Sequence, residues 1–98
     1  MNFAVDQDAK REVADAAAYY TARAASAGKD FETEFKAALE RILDRPNAWP
    51  PVGRGLRRCL LSNFPYQIVY RVEGEVIRIY AVAHVKRRPN YWRKRVAR

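Results

Sequence analysis

The residues this 98-residue chain has least of set its first bounds. One cysteine, Cys59, excludes an intramolecular disulfide. With the one histidine, His84, far from it in sequence, no metal-ligand cluster is spaced for binding. The four glycines form no phosphate-cradling loop, and hydrolytic triads have no support, so neither metal nor cofactor is expected. No apolar run is long enough to cross a bilayer, and Asp6, Asp8, Lys10, Arg11 and Glu12 interrupt the N-terminus too early for a signal peptide. The expectation is a cytoplasmic protein with no membrane partner.

Acidic residues are also scarce, in one half only. Residues 1 to 48 carry nine acidic and seven basic side chains, net −2, whereas residues 49 to 98 carry two acidic and twelve basic, net +10, giving +8 in all. Such an asymmetric field favours a polyanion or an acidic protein as partner.

What is present reads as one domain spanning residues 1–98. Asn2 to Asp6 reads as a first strand, with Asp6 placed to cap a helix from about Gln7 to Ala25 on which Val13, Ala16, Ala17, Tyr20 and Ala24 recur at helical spacing. Gly28 reads as the break, with Asp30 capping a second helix from about Phe31 to Arg45. Its core stripe is Phe35, Ala38, Leu39, Ile42 and Leu43, and Pro46 stops it. The Pro- and Gly-punctuated stretch 47–55 reads as a loop, with Trp49 plugging the sheet edge.

Three antiparallel strands follow. Leu56 to Leu61 carries Arg57 and Arg58 on opposite faces, and parity leaves open which one joins a basic face. Phe64 to Val72 and Glu75 to His84 form a hairpin whose two-residue connection is read as Glu73-Gly74. Alternation places Ile68, Tyr70, Ile77, Ile79, Ala81 and Ala83 on an apolar face, and Arg71, Arg78, Tyr80, Val82 and His84 on the other. The fold class is α+β, in the order β-α-α-β-β-β: a helical hairpin packed on an antiparallel sheet, with a short C-terminal helix or basic tail.

The candidate surface is the face with Arg71, Arg78 and Tyr80, joined by Arg57 or Arg58 and bordered by Arg88. In the tail, Trp92 either stacks on a base or folds back into the core. If the surface were nucleolytic, Arg87 would stabilise developing charge while His84 or Tyr91 moved a proton.

The element order resembles the RelE/ParE toxin superfamily over nearly the full length. Particular residues strengthen the likeness: Phe64-Pro65-Tyr66, Ile68-Val69-Tyr70-Arg71, Ala81-Val82-Ala83-His84, and Arg88-Pro89 ahead of Tyr91-Trp92. It looks most like the ParE, or plasmid-stabilisation, branch. The resemblance implies the toxin of a type II toxin–antitoxin pair, a growth inhibitor neutralised by a cognate antitoxin. ParE-like members poison DNA gyrase, whereas RelE-like members cut ribosome-bound mRNA. The latter usually carry arginine where this chain has Gln67, so the resemblance favours gyrase binding over endoribonuclease activity. A toxin fold that binds only its antitoxin is the third alternative.

Overall fold

The structure is a computed structural model that describes residues 1–97. Strand β1 (Asn2–Val5) leads into helices α1 (Gln7–Arg23) and α2 (Ala27–Asp44). Strands β2 (Pro51–Gly53), β3 (Leu56–Leu60), β4 (Tyr66–Glu73) and β5 (Val76–His84) follow, and then the short helix α3 (Arg93–Val96). The sheet order is β1-β5-β4-β3-β2. The expected α+β order holds, with two differences. The sheet is mixed: the helical hairpin carries the chain from β1 to β2 at the far edge, and the last strand of the following meander, β5, returns parallel beside β1, Val5 opposite Ile79. The expected loop contains a fifth strand, β2, on the outer edge of β3, where Pro51 lacks no hydrogen bond that an edge position would need.

Asp6 caps α1 as expected, its carboxylate accepting the Asp8 N–H at 2.9 Å. The break between the helices lies elsewhere than expected. It falls at Ala24, which is extended (φ −155°), with Ser26 preceding α2; Gly28 and Asp30 are both inside the first turn of α2. Gly28 is needed for closeness and not for a left-handed turn. A Cβ there would lie 1.8 Å from Thr21 Oγ1 and 2.6 Å from the carbonyl oxygen of Ala17, so its hydrogen is what lets α1 and α2 meet. Asp30 sits instead where the positive end of the α2 dipole favours a carboxylate.

The main core lies between the hairpin and one face of the sheet. Phe31, Ala38 and Ile42 of α2 meet Cys59, Ile68, Tyr70, Ile77 and Ile79, with Phe35 and Leu39 packed against them. Leu43, expected in that stripe, is 41% exposed instead. Rings from four segments close one end: Tyr20 meets Phe64 edge-on at 4.7 Å, and Phe31 meets Tyr66 at 5.1 Å. At the other end the Tyr70 hydroxyl donates to the Pro46 carbonyl at 2.5 Å, and burial pushes its pKa up to about 12. Trp49 is half-buried against the same core, and its carbonyl accepts from Arg57 at 2.7 Å.

Gly28→Ala is expected to destabilise the chain by about 1–3 kcal/mol, measured by urea unfolding, as overpacking does. Adding Thr21→Ala is expected to recover little of this, because the Ala17 carbonyl remains 2.6 Å away. An unchanged midpoint for the single variant would mean that the helices can separate without loss.

Candidate functional site

The faces of the sheet are set by one extra residue in β5. Val69 stands opposite Ala81 and Tyr70 opposite Ile79, so Tyr80 has no partner across the ladder and forms a β-bulge. Beyond it the alternation inverts. Tyr80 and Ala81 both face away from the helices, joined by Ala83, while Val82 turns into the main core. This corrects the expected placement of Ala81 and Ala83 with Ile77 and Ile79. It also moves His84 off the face that carries Arg71, Arg78 and Tyr80. His84 lines a cleft of about 260 Å³ beside α1 with Glu12, Asp15, Tyr19, Tyr66 and Arg87.

On the open face, the hairpin connection is Gly74–Glu75, one residue later than expected. Glu73 is therefore the last residue of β4, opposite Val76, while Gly74 supplies the positive φ (+64°) that a tight hairpin requires. That shift carries Glu73 to the side of Arg71. Its carboxylate accepts from the Tyr80 hydroxyl at 2.6 Å, Arg71 Nε at 2.9 Å and Arg78 Nε at 3.0 Å, and Arg71 also donates to the Tyr80 hydroxyl at 3.1 Å. The Tyr80 hydrogen bond first, and then those from the two arginines, hold the Glu73 carboxyl down from the usual 4.5 to about 2. Both arginines are thus bound to an internal anion. In β3, Arg58 stands opposite Val69 and faces the open side, exposed. Arg57 stands opposite Tyr70 on the helix side, which settles the choice that parity left open.

The C-terminal segment is a strap across the open face. Trp92 is 5% exposed and packs into a second core with Leu56, Val69, Tyr80, Ala81 and Ala83. Its ring is not available to stack on a base, so of the two readings of Trp92 the core one holds. Tyr91 and Val96 pack beside it, and the expected C-terminal helix is the four-residue α3. The strap is anchored on Glu12 of α1. Tyr91 Oη donates to Glu12, Arg95 makes hydrogen bonds to both carboxylate oxygens at 2.8 and 3.1 Å, and Arg87 lies 3.9 Å away. Arg95 also lies 3.6 Å from Asp8. Burial and the hydrogen bond to Glu12 raise the Tyr91 pKa well above that of a free phenol.

The nuclease candidates therefore split. His84 and Arg87 share the cleft beside α1, where His84 Nδ1 accepts the Lys86 N–H at 3.1 Å. Tyr91 donates its hydroxyl hydrogen bond to the Glu12 carboxylate, under the Arg87 guanidinium 4.0 Å from its ring centroid. The cations Arg58 and Arg88 are exposed, and Arg58 lines a groove of about 230 Å³ with Gln67, Arg87, Pro89 and Trp92.

A model of the ParE toxins of type II toxin–antitoxin systems, parDE, matches residues 4–89. The chain belongs to the ParE toxin family. It is similar to Toxin ParE2 of Mycobacterium tuberculosis, in the CDC 1551 / Oshkosh and ATCC 25618 / H37Rv strains alike. The identity is 39% over 54 residues, which are 55% of this chain and about half (51%) of the relative. Among solved structures, a chain of the chromosomal ParDE TA system from P. aeruginosa superposes with a TM-score of 0.64 at 16% identity, covering 86% of this chain and 95% of that one. At that identity the likeness shows the ParE fold and no more. No helix among the described residues is long and apolar enough to cross a membrane.

Three residues that organise the site were not singled out from the sequence: Glu12, Glu73 and Arg95. Glu12 had a signal. It lies on the stripe of Ala9, Val13 and Ala16 that faces the protein, where a carboxylate needs partners. Glu73 is expected to act as an acid-side stability switch. Because its folded pKa is depressed, its contribution is complete above pH 4.5 and is lost as pH falls from 4.5 toward 2. The stability advantage of the wild type over Glu73→Gln, from denaturation at a series of pH values, is expected to be flat above that window and to shrink through it. A pH-independent difference would remove the ion pairs from the account.

Proposed function

We propose that this chain is the toxin of a type II toxin–antitoxin pair, that it acts in the cytoplasm by binding DNA gyrase, and that a cognate antitoxin encoded beside it neutralises it. Membership of the ParE family supports the pairing, as does a fold shared with a chain of the ParDE system from P. aeruginosa. The net +10 of residues 49 to 98 suits an acidic antitoxin segment.

One observation favours binding over RNA cleavage: the groups that would move protons are committed to carboxylates or separated from the open-face cations. The Tyr80 hydroxyl donates to Glu73 and the Tyr91 hydroxyl to Glu12, while the bulge turns His84 to the helix side of the sheet. Phosphoryl transfer needs a proton-transfer group and a charge stabiliser around one phosphate. Here Arg71 and Arg78 already neutralise Glu73, Gln67 is neutral, and the cleft that brings His84 together with Arg87 is also lined by Glu12 and Asp15, whose charges oppose a phosphate. Arg58 and Arg88 remain exposed for a protein target or a protein–DNA complex.

The antitoxin-free chain is expected to inhibit supercoiling by purified gyrase, or to trap its cleaved-DNA complex, while leaving ribosome-bound mRNA intact. Replacing Arg58 and Arg88 together by alanine is expected to weaken that inhibition about tenfold without moving the unfolding midpoint, as loss of interfacial charges does. Cleaved mRNA with untouched gyrase would establish the endoribonuclease alternative. A chain that copurifies with the adjacent gene's product yet inhibits neither would be a fold that only binds antitoxin.

A further inference from the structure

The strap covers only part of the open face. Trp92 packs with Leu56, Val69, Tyr80, Ala81 and Ala83, and one end of the sheet extends beyond it. There Leu60 of β3 stands opposite Gln67 of β4, which in turn stands opposite Ala83 of β5. Cys59 and Leu61 belong to the main core, so alternation points the Leu60 side chain to the open side, with that of Arg58. Leu60 is 51% exposed, and Val85, where β5 passes into the strap, is 43% exposed. Two concavities meet at this end and share Arg58. One, of about 230 Å³, lies between Gln67, Val85 and Arg87; the other, of about 160 Å³, lies between Leu60, Trp49 and Pro50.

The groups around these concavities are of two kinds. Arg58 and Arg88 are exposed cations, and among the described residues no carboxylate lies within ion-pair distance of either. Between the cations the exposed side chains are aliphatic: Leu60, Val85, Pro50 and Pro89. A single-stranded nucleic acid would use the cations, but its bases need rings to stack on. The rings here are taken. Trp92 is 5% exposed, the Arg87 guanidinium covers Tyr91, and Trp49 packs against the main core with Arg41 6.0 Å from its ring centroid. One exposed leucine would be ordinary, whereas aliphatic side chains set in concavities and rimmed by unpaired cations have the make-up of a protein interface. Gln67 agrees with that reading. Its Oε1 is buried with no donor, so the amide gains a hydrogen bond by turning toward an arriving peptide N–H.

Building on the reading of this chain as a toxin that acts by binding, we propose that the end of the open face from Leu60 across Gln67 to Val85 is where the target protein docks. It receives an acidic segment whose carboxylate meets Arg58 and whose flanking aliphatic side chains seat against Leu60 and Val85. Charge complementarity brings the segment in, and the aliphatic contacts choose it among other anions.

The test pairs inhibition of purified gyrase with nuclear magnetic resonance on the whole chain. The probes for resonance are two acidic peptides of equal charge, one with leucines between its glutamates and one with serines, and oligothymidylate. The leucine peptide is expected to shift the Leu60, Gln67 and Val85 signals and to bind about tenfold more tightly than the serine peptide, as burial of a few aliphatic groups implies. Leu60→Thr combined with Val85→Thr keeps charge and strand preference. That variant is expected to lose the preference for leucine and to inhibit gyrase about tenfold less, with antitoxin binding and unfolding midpoint unchanged. Arg58→Ala is expected to weaken both peptides, less so at high salt, while Lys29→Ala on α2 leaves both within about twofold. Equal binding of the two peptides, or stronger shifts of Leu60 and Val85 by oligothymidylate, overturns the proposal in favour of charge alone or of nucleic acid. A threonine variant that loses antitoxin binding but still inhibits gyrase assigns the surface to the antitoxin and overturns it too. Wild-type inhibition by that variant with antitoxin binding intact overturns the docking surface and leaves the gyrase reading standing. A wild-type chain that binds the leucine peptide at Leu60 and Val85 yet leaves gyrase untouched supports the surface and removes gyrase as its target.

Discussion

One unpaired residue in β5 governs the architecture around it. A strand's side chains alternate with a period of two, so a single insertion reverses every position beyond it. At Tyr80 that reversal lets two neighbours, Tyr80 and Ala81, face the same side, and the open face gains the floor on which Trp92 sits. The same insertion turns Val82 into the main core and sends His84 to the helix side. Without the bulge, neither the second core nor the anchoring of the strap on Glu12 would have its present geometry.

The strap explains how a sheet with helices on one face only keeps the other face ordered. An exposed face carrying Leu56, Val69, Ala81 and Ala83 would leave an apolar patch in water. Trp92 covers it, and a large ring buried to 95% contributes roughly 2–3 kcal/mol by area alone. A four-residue helix has little stability of its own. The strap is held in place by Trp92 packing and by the bonds of Tyr91 and Arg95 to Glu12, so a side chain of α1 fixes the far end of the chain.

Most of the fold was legible because its signals are local. Asp6 before an alanine-rich run, Pro46 after a second run, and glycine at the tip of an alternating hairpin each act within a few residues. What was not legible depends on distance. The parallel pairing of β1 with β5 joins segments about 74 residues apart, as Asn2 beside Val76 shows, and nothing in the sequence near Asn2 announces it. Gly28 carries no mark that separates a helix break from a close approach, because the atoms that demand glycine belong to Ala17 and Thr21 of the other helix. The bulge is silent too: Ile77 to His84 continues to alternate acceptably in either phase, since Ala and Val suit both faces. The site inherited that error. Arg71, Arg78 and Tyr80 do lie together, but the reading of His84 beside them fails at the one residue where the phase changes.

Net charge and available charge are different quantities in this protein. The half of the chain from residue 49 carries twelve basic side chains, yet several of them serve the fold. Arg71 and Arg78 bracket Glu73, Arg57 holds the Trp49 carbonyl, and Arg95 is 13% exposed on Glu12. An arginine paired with an internal carboxylate has exchanged part of its water for that partner, and releasing it to bind phosphate would leave the carboxylate unpaired, most costly where the pair is best buried, as at Arg95 and Glu12. The long-range field survives, because pairing an arginine with one carboxylate cancels charge only locally, and the surplus remains positive. Encounter with an anionic partner is therefore governed by the whole basic half. The contacts that follow fall to the cations left exposed, such as Arg58 on β3 and Arg88 at the start of the strap. These exposed cations, with Arg54, Lys86, Arg93 and Lys94 also exposed, and not the two arginines of the hairpin, carry the charge that a partner can reach without first dismantling the sheet.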